Sequence, residues 1–129
     1  MMDLSRFRGT GVAMVTPFRE DGSIDEAALQ GHVERQIEGG VEMLVPCGTT
    51  GESATLSAEE QRAIIALTVE VAGGRAPVMA GAGGNNTNDV VKRARAAQAA
   101  GADAILSVSP YYNRPTQAGL IAHYKAIAA

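Results

Sequence analysis

Four short apolar runs, each followed by an amphipathic stretch, constrain this chain more than any other feature of its sequence. The runs are Gly11–Val15, Met43–Val45, Val78–Ala80 and Ala104–Val108. None alternates polar with apolar residues, so each is expected to be a strand buried on both faces. They begin about 30 residues apart, the length of a strand–helix–strand unit. Helical periodicity fills the gaps. Leu29, Val33 and Ile37 repeat every four residues, Ser23 with Glu26 reads as the capping box, and Gly39-Gly40 ends the segment. Ser57 with Glu60 opens the second helix, whose inner stripe is Ile64, Leu67, Thr68 and Val71, before Gly73-Gly74. Val90, Val91, Ala94 and Ala97 face inward in the third, which Gly101 terminates. Pro115-Thr116 opens the fourth, lined by Leu120, Tyr124 and Ile127.

Alternating strands and helices imply an α/β fold with a parallel sheet under helical cover. Two architectures fit: a small doubly wound sheet, or half of a (β/α)8 barrel, which takes about 250 residues in full. Periodicity does not choose between them. Only 4% of the residues are aromatic, so Ala, Val, Ile, Leu and Met must build the core. The formal charge of −3 argues against nucleic acid as a partner. Cys47, the only cysteine, excludes an internal disulfide and suits a reducing compartment. With only His32 and His123 beside it, no Cys/His metal site is expected. No apolar run approaches the roughly 18 residues of a membrane span, and Met1–Arg8 lacks a signal-peptide core. The expectation is a cytoplasmic protein.

Parallel α/β proteins do their chemistry at the carboxyl ends of strands. After the second run comes Cys47-Gly48-Thr49-Thr50-Gly51-Glu52. Its glycines allow close backbone approach, and its adjacent threonines offer N–H groups and hydroxyls that can hold a carboxylate without a cationic side chain. The alternative is a plain polar turn. After the third run, Gly81-x-Gly83 meets Asn86 where a dinucleotide fingerprint wants glycine, so a helix capped by Asn86 or Thr87 is the better reading. After the fourth run stand Tyr111 and Tyr112. A phenol in a relay can pass a proton, but both rings can equally cover a rim or an interface. Arg114 beside them is either an anion ligand or a solvated cation. Glu52 reads as structural, His32 and His123 as half-exposed packing residues, and Cys47 as a small buried hydrophobe.

Three segments taken together resemble one family. Gly11-Val12-Ala13-Met14-Val15-Thr16-Pro17-Phe18, Gly48-Thr49-Thr50-Gly51-Glu52-Ser53-Ala54-Thr55-Leu56 and Pro110-Tyr111-Tyr112-Asn113-Arg114-Pro115 are similar to the dihydrodipicolinate synthases, within the wider N-acetylneuraminate lyase family. The likeness implies that residues 1–129 are the N-terminal half of a single (β/α)8 barrel domain. It implies a cofactor-free class I aldolase-type reaction of lysine biosynthesis: pyruvate forms a Schiff base with a lysine, and the enamine adds to aspartate semialdehyde. Thr50, with Thr49, would hold the pyruvate carboxylate. Thr49 and Tyr112 would be the catalytic relay residues, Tyr112 reaching the neighbouring subunit's site across a dimer seam of a homo-oligomer. Ser53, Ala54, Asn85, Asp89 and Tyr111 match a lysine-effector site, with Asp89 in place of glutamate. Ala58 and Gln61 stand where inhibited members can carry histidine.

The resemblance also places the Schiff-base lysine on the sixth strand. Lys92 and Lys125, the only lysines here, both fall in predicted helices. The 129 residues alone are therefore expected to lack aldol-addition activity. A sugar-acid aldolase of the same family is the nearest alternative, and Asn113-Arg114-Pro115 argues against it. A non-catalytic anion-binding module and a small nucleotide-binding domain are the rivals from other classes.

Overall fold

A parallel strand–helix–strand connection is right-handed, so strands laid down in sequential order carry all their helices on one side. The computed structural model describes residues 4–129; Met1–Asp3, part of the segment read as lacking a signal-peptide core, lie outside the described residues. The order is β1 (Gly11–Ala13), α1 (Glu26–Glu38), β2 (Met43–Val45), α2 (Ala58–Ala72), β3 (Met79–Gly81), α3 (Thr87–Ala99), β4 (Ala104–Leu106) and α4 (Gln117–Ala128). β1 pairs in parallel with β2, with Val12 opposite Leu44, and β3 with β4, with Ala80 opposite Ile105. A parallel bridge between Leu44 and Val78 joins the two pairs. Beside it the Leu44 N–H donates to Pro77 O at 3.0 Å and the Gly81 N–H to Pro46 O at 2.8 Å. The strands thus run β1-β2-β3-β4. A doubly wound sheet reverses its order at a switch point. This order does not reverse, and it is that of a barrel wall.

β1 and β4 are shorter than their apolar runs. Met14, Val15, Ser107 and Val108 fall outside them, and β3 is shifted one residue toward Gly81. Backbone pairing nevertheless continues past the strand ends, with the Met14 N–H on Val45 O and the Ala82 N–H on Leu106 O, both at 3.0 Å. Burial on both faces holds only in part. Val12, Met14, Leu44, Val78, Ala80 and Ile105 pack with Leu29, Val33, Ile64, Ile65 and Ala97 in one core. At the alternate positions of the β1 and β4 runs Ala13 is exposed, and Val15, Leu106 and Val108 are 51%, 47% and 52% accessible, whereas Val45 and Gly81 on the two inner strands are buried. A strand's side chains point to opposite faces, so helices on one side bury only every second residue of those outer runs.

The helix signals fare unevenly. Ser57 and Glu60 form the expected reciprocal capping box on α2. On α1 the cap is not Ser23 but Asp25, whose Oδ1 accepts from the Ala28 N–H at 3.0 Å. Asp25 stands immediately before the first helical residue, while the Ser23 hydroxyl is taken by Asp21 at 2.6 Å. Asn86 caps α3 by accepting from the Asn88 N–H at 3.1 Å, and Gly101 beyond its end takes φ +94. In α4 the predicted stripe is corrected. Tyr124 is exposed, Leu120 and Ile127 are only partly covered, and the one fully buried residue is His123. That histidine, expected half-exposed, packs inward because its Nδ1 meets the Thr87 hydroxyl at 2.9 Å at the start of α3. His32 is half-buried as expected and contacts Arg35.

Candidate functional site

The carboxyl ends of β2, β3 and β4 open into a cavity of about 360 Å3. The turn after β2 forms its floor through Cys47, Gly48 and Thr49, and Leu106, Val108 and Tyr111 form the opposite wall. The turn is built almost wholly from backbone. Cys47 takes φ +58 and Glu52 φ +57, left-handed values that only a tightly held non-glycine residue adopts. The Gly51 N–H closes on Gly48 O at 3.1 Å, and the Glu52 N–H on Thr49 O at 3.0 Å. This leaves the Thr49 and Thr50 amides. Among the described residues neither donates to any group, and both side chains are exposed. Two adjacent unpaired N–H dipoles with hydroxyls beside them can grip a carboxylate.

Two residues to which the sequence assigns no role in this turn hold it. Thr16, just past β1, is 6% exposed and donates its hydroxyl to Gly51 O at 2.7 Å. Gln61 on α2, equally buried, donates through Nε2 to Ser53 O at 2.9 Å. The signal was present for Gln61. It is a polar residue on the same stripe as Ile64, Ile65 and Thr68, and buried polar groups sit on such stripes only when they have a partner. Arg93 of α3 also lines the cavity and donates to Gly83 O at 3.1 Å. It brings positive charge to the site from a helix where the sequence gave no cue.

Cys47 is 2% exposed, and burial pushes its thiol up to about 12. It is the inert apolar residue expected, neutral throughout the physiological range. The expected result is that iodoacetamide leaves native Cys47 unmodified at pH 8 and modifies it after denaturation. The sign for stability follows from linkage. The unfolded thiol ionises near 9.0 and the folded one near 12, so the folded state holds more protons between those values. This contribution to stability is complete below pH 9 and falls as pH rises from there toward 12.

The structure brings some of the sequence-selected residues together and not others. Thr49, Ser53, Ala54 and Tyr111 line the cavity; Thr50, Tyr112 and Asp89 do not. Asn85 is tied to the same rim, because its Nδ2 donates to Tyr111 O at 3.3 Å while Asn113 Nδ2 donates to Asn85 O at 2.6 Å. Those two bonds clasp the loops after β3 and β4. Above them Tyr112 adopts φ +65 and is 95% exposed, its ring edge-on to Tyr111 at 6.5 Å between centroids. Lys92 lies on α3 and Lys125 on α4, and both are exposed.

The dihydrodipicolinate synthetase family model matches residues 6–129. The chain belongs to that family. Among its relatives, the 4-hydroxy-tetrahydrodipicolinate synthase of Rhodospirillum centenum is 60% identical over 121 residues, covering 94% of this chain and 41% of that protein. The enzyme of the same name from Agrobacterium fabrum is 55% identical over 122 residues, covering 95% and 42%. Dihydrodipicolinate synthase from Aquifex aeolicus superposes with a TM-score of 0.91 at 46% identity, over 95% of this chain and 41% of that one. The chloride-inhibited synthase from Acinetobacter baumannii, solved in complex with pyruvate, gives 0.91 at 49% identity, over 93% and 41%. The chain thus spans about two fifths of the length of the family members it matches. Its fold is correspondingly part of the dihydrodipicolinate synthase barrel.

Proposed function

We propose that residues 1–129 form the N-terminal half of a 4-hydroxy-tetrahydrodipicolinate synthase barrel and supply the half of its active site that binds pyruvate. The observation that carries this reading is the turn after β2, whose Thr49 and Thr50 amides are unpaired among the described residues, with Thr49 lining the cavity and Thr50 following it along the turn. Thr50 and Thr49 take the pyruvate carboxylate there. The Thr49 hydroxyl and the Tyr112 phenol then move protons. One proton goes to the carbonyl oxygen that leaves as water when a lysine amine forms the imine. Another is passed on when the resulting enamine attacks the aldehyde carbon of aspartate semialdehyde. The exposure of Tyr112 supports a homo-oligomer in which this ring serves the neighbouring subunit's site. The lone thiol suits the cytoplasm.

A Schiff-base amine must be desolvated and close to the ketone, so that its pKa falls and it can attack. Lys92 and Lys125 stand on helices and meet neither condition. The reacting lysine therefore belongs to the other half of the barrel. Borohydride reduction in the presence of pyruvate tests this. The expected result is no covalent adduct on the 129-residue chain, and one adduct on the complete synthase polypeptide at a lysine outside residues 1–129. An adduct on Lys92 or Lys125 would overturn the assignment.

A further inference from the structure

We infer that Thr16 is a positioning residue for the carboxylate-binding turn, and that its hydroxyl rather than its methyl does this. The inference rests on the pyruvate reading above. Gly51 has no side chain to restrain it, so its peptide can rotate through conformations closed to other residues. Two contacts prevent that rotation. A Cβ at Gly51 would lie 3.0 Å from Met14 O, which shows how closely the turn sits on the backbone of the β1 segment. From the same segment Thr16 reaches across 35 positions and donates to Gly51 O at 2.7 Å in a buried site. Among the described residues this is the only side-chain hydrogen bond to residues 48–51.

The carbonyl it holds is bonded through one peptide plane to Glu52, whose N–H closes on Thr49 O at 3.0 Å. Fixing Gly51 O thereby helps fix the plane that carries Thr49 O and the Thr50 N–H, while the Gly51 N–H on Gly48 O at 3.1 Å holds the neighbouring plane that carries the Thr49 N–H. Without the hydroxyl, a buried carbonyl loses its donor, and the turn gains freedom to rotate toward one. The two N–H groups then converge less well on a carboxylate. The loss falls on pyruvate binding and not on the second substrate.

Steady-state kinetics of Thr16→Val and Thr16→Ser in the complete synthase polypeptide test this. Valine keeps the methyl and loses the hydroxyl, whereas serine does the reverse. Thr16→Val is expected to raise the pyruvate KM about tenfold, with kcat and the aspartate-semialdehyde KM within about twofold. Thr16→Ser is expected to stay within about twofold of wild type in every parameter. A purely packing role inverts that order, and a pyruvate KM unchanged in Thr16→Val overturns the inference alone. A wild-type enzyme that does not saturate with pyruvate overturns the functional reading and this one with it. Should Thr16→Val fail to fold, Thr16→Ser still decides, because a tenfold rise in its pyruvate KM would assign the role to the methyl.

Discussion

Replacing Gly81 by alanine is expected to destabilise the fold by about 3 kcal/mol, at the upper end of what overpacking usually costs. A Cβ built at Gly81 would run into the carbonyl carbon and oxygen of Cys47 and lie 2.7 Å from Gly48 N. All three are backbone atoms, so no rotamer change relieves the contact. The Gly81 N–H also bonds Pro46 O at 2.8 Å, so moving β3 away would break the pairing that joins β3 to β2. Denaturant unfolding monitored by circular dichroism measures the loss. Gly31→Ala is the control, a position inside α1 where a Cβ meets nothing within 4 Å. There alanine is expected to be neutral or stabilising by up to about 1 kcal/mol, because it is the better helix former. Equal unfolding midpoints for Gly81→Ala and wild type would mean that the close approach of β3 to the Cys47–Gly48 peptide is not a packing constraint.

That contact also shows how much of the site was legible in the sequence. The periodicity of Leu29, Val33 and Ile37 and the Ser57–Glu60 signature are local, and the structure bears them out. The turn after β2 was visible as a cluster of glycines and threonines. What holds it was not, because Thr16 to Gly51 and Gly81 to Cys47 are tertiary contacts, each more than 30 residues apart along the chain. The exposed inner residues Val15, Leu106 and Val108 were misread for a related reason. A run of β-branched and aliphatic residues looks the same whether its second face meets a helix or the interior of a barrel. Choosing between a doubly wound sheet and a barrel needed the order of the strands, and that is set by the Leu44–Val78 bridge. His123 was read as half-exposed because a histidine on an apolar helix gives no sign of its partner; Thr87 supplies one from another helix.

In the complete enzyme, Tyr112→Phe is expected to lower kcat about a hundredfold while leaving the pyruvate KM and the unfolding temperature unchanged. Loss of a positioned proton-transfer group costs that much or more. Stability is spared because the phenol makes no hydrogen bond among the described residues and the ring is 95% exposed, so phenylalanine gives up no buried contact of this chain. On the relay role proposed above, the same exposure calls for a partner surface. A phenol in open water is a poor proton carrier, and it becomes useful when a second surface excludes solvent and sets a hydroxyl beside it. The loop is shaped to reach outward. Tyr112 at φ +65 and Arg114 at φ +48 are both left-handed, and the Asn85–Asn113 exchange holds the loop beneath them. Strain of this kind costs of order 1 kcal/mol per residue and persists where the surroundings fix the conformation. Dilution below the subunit dissociation constant should therefore lower wild-type kcat toward that of Tyr112→Phe and leave the variant unaffected. A Tyr112→Phe enzyme with wild-type kcat would show that the ring covers an interface and carries no proton.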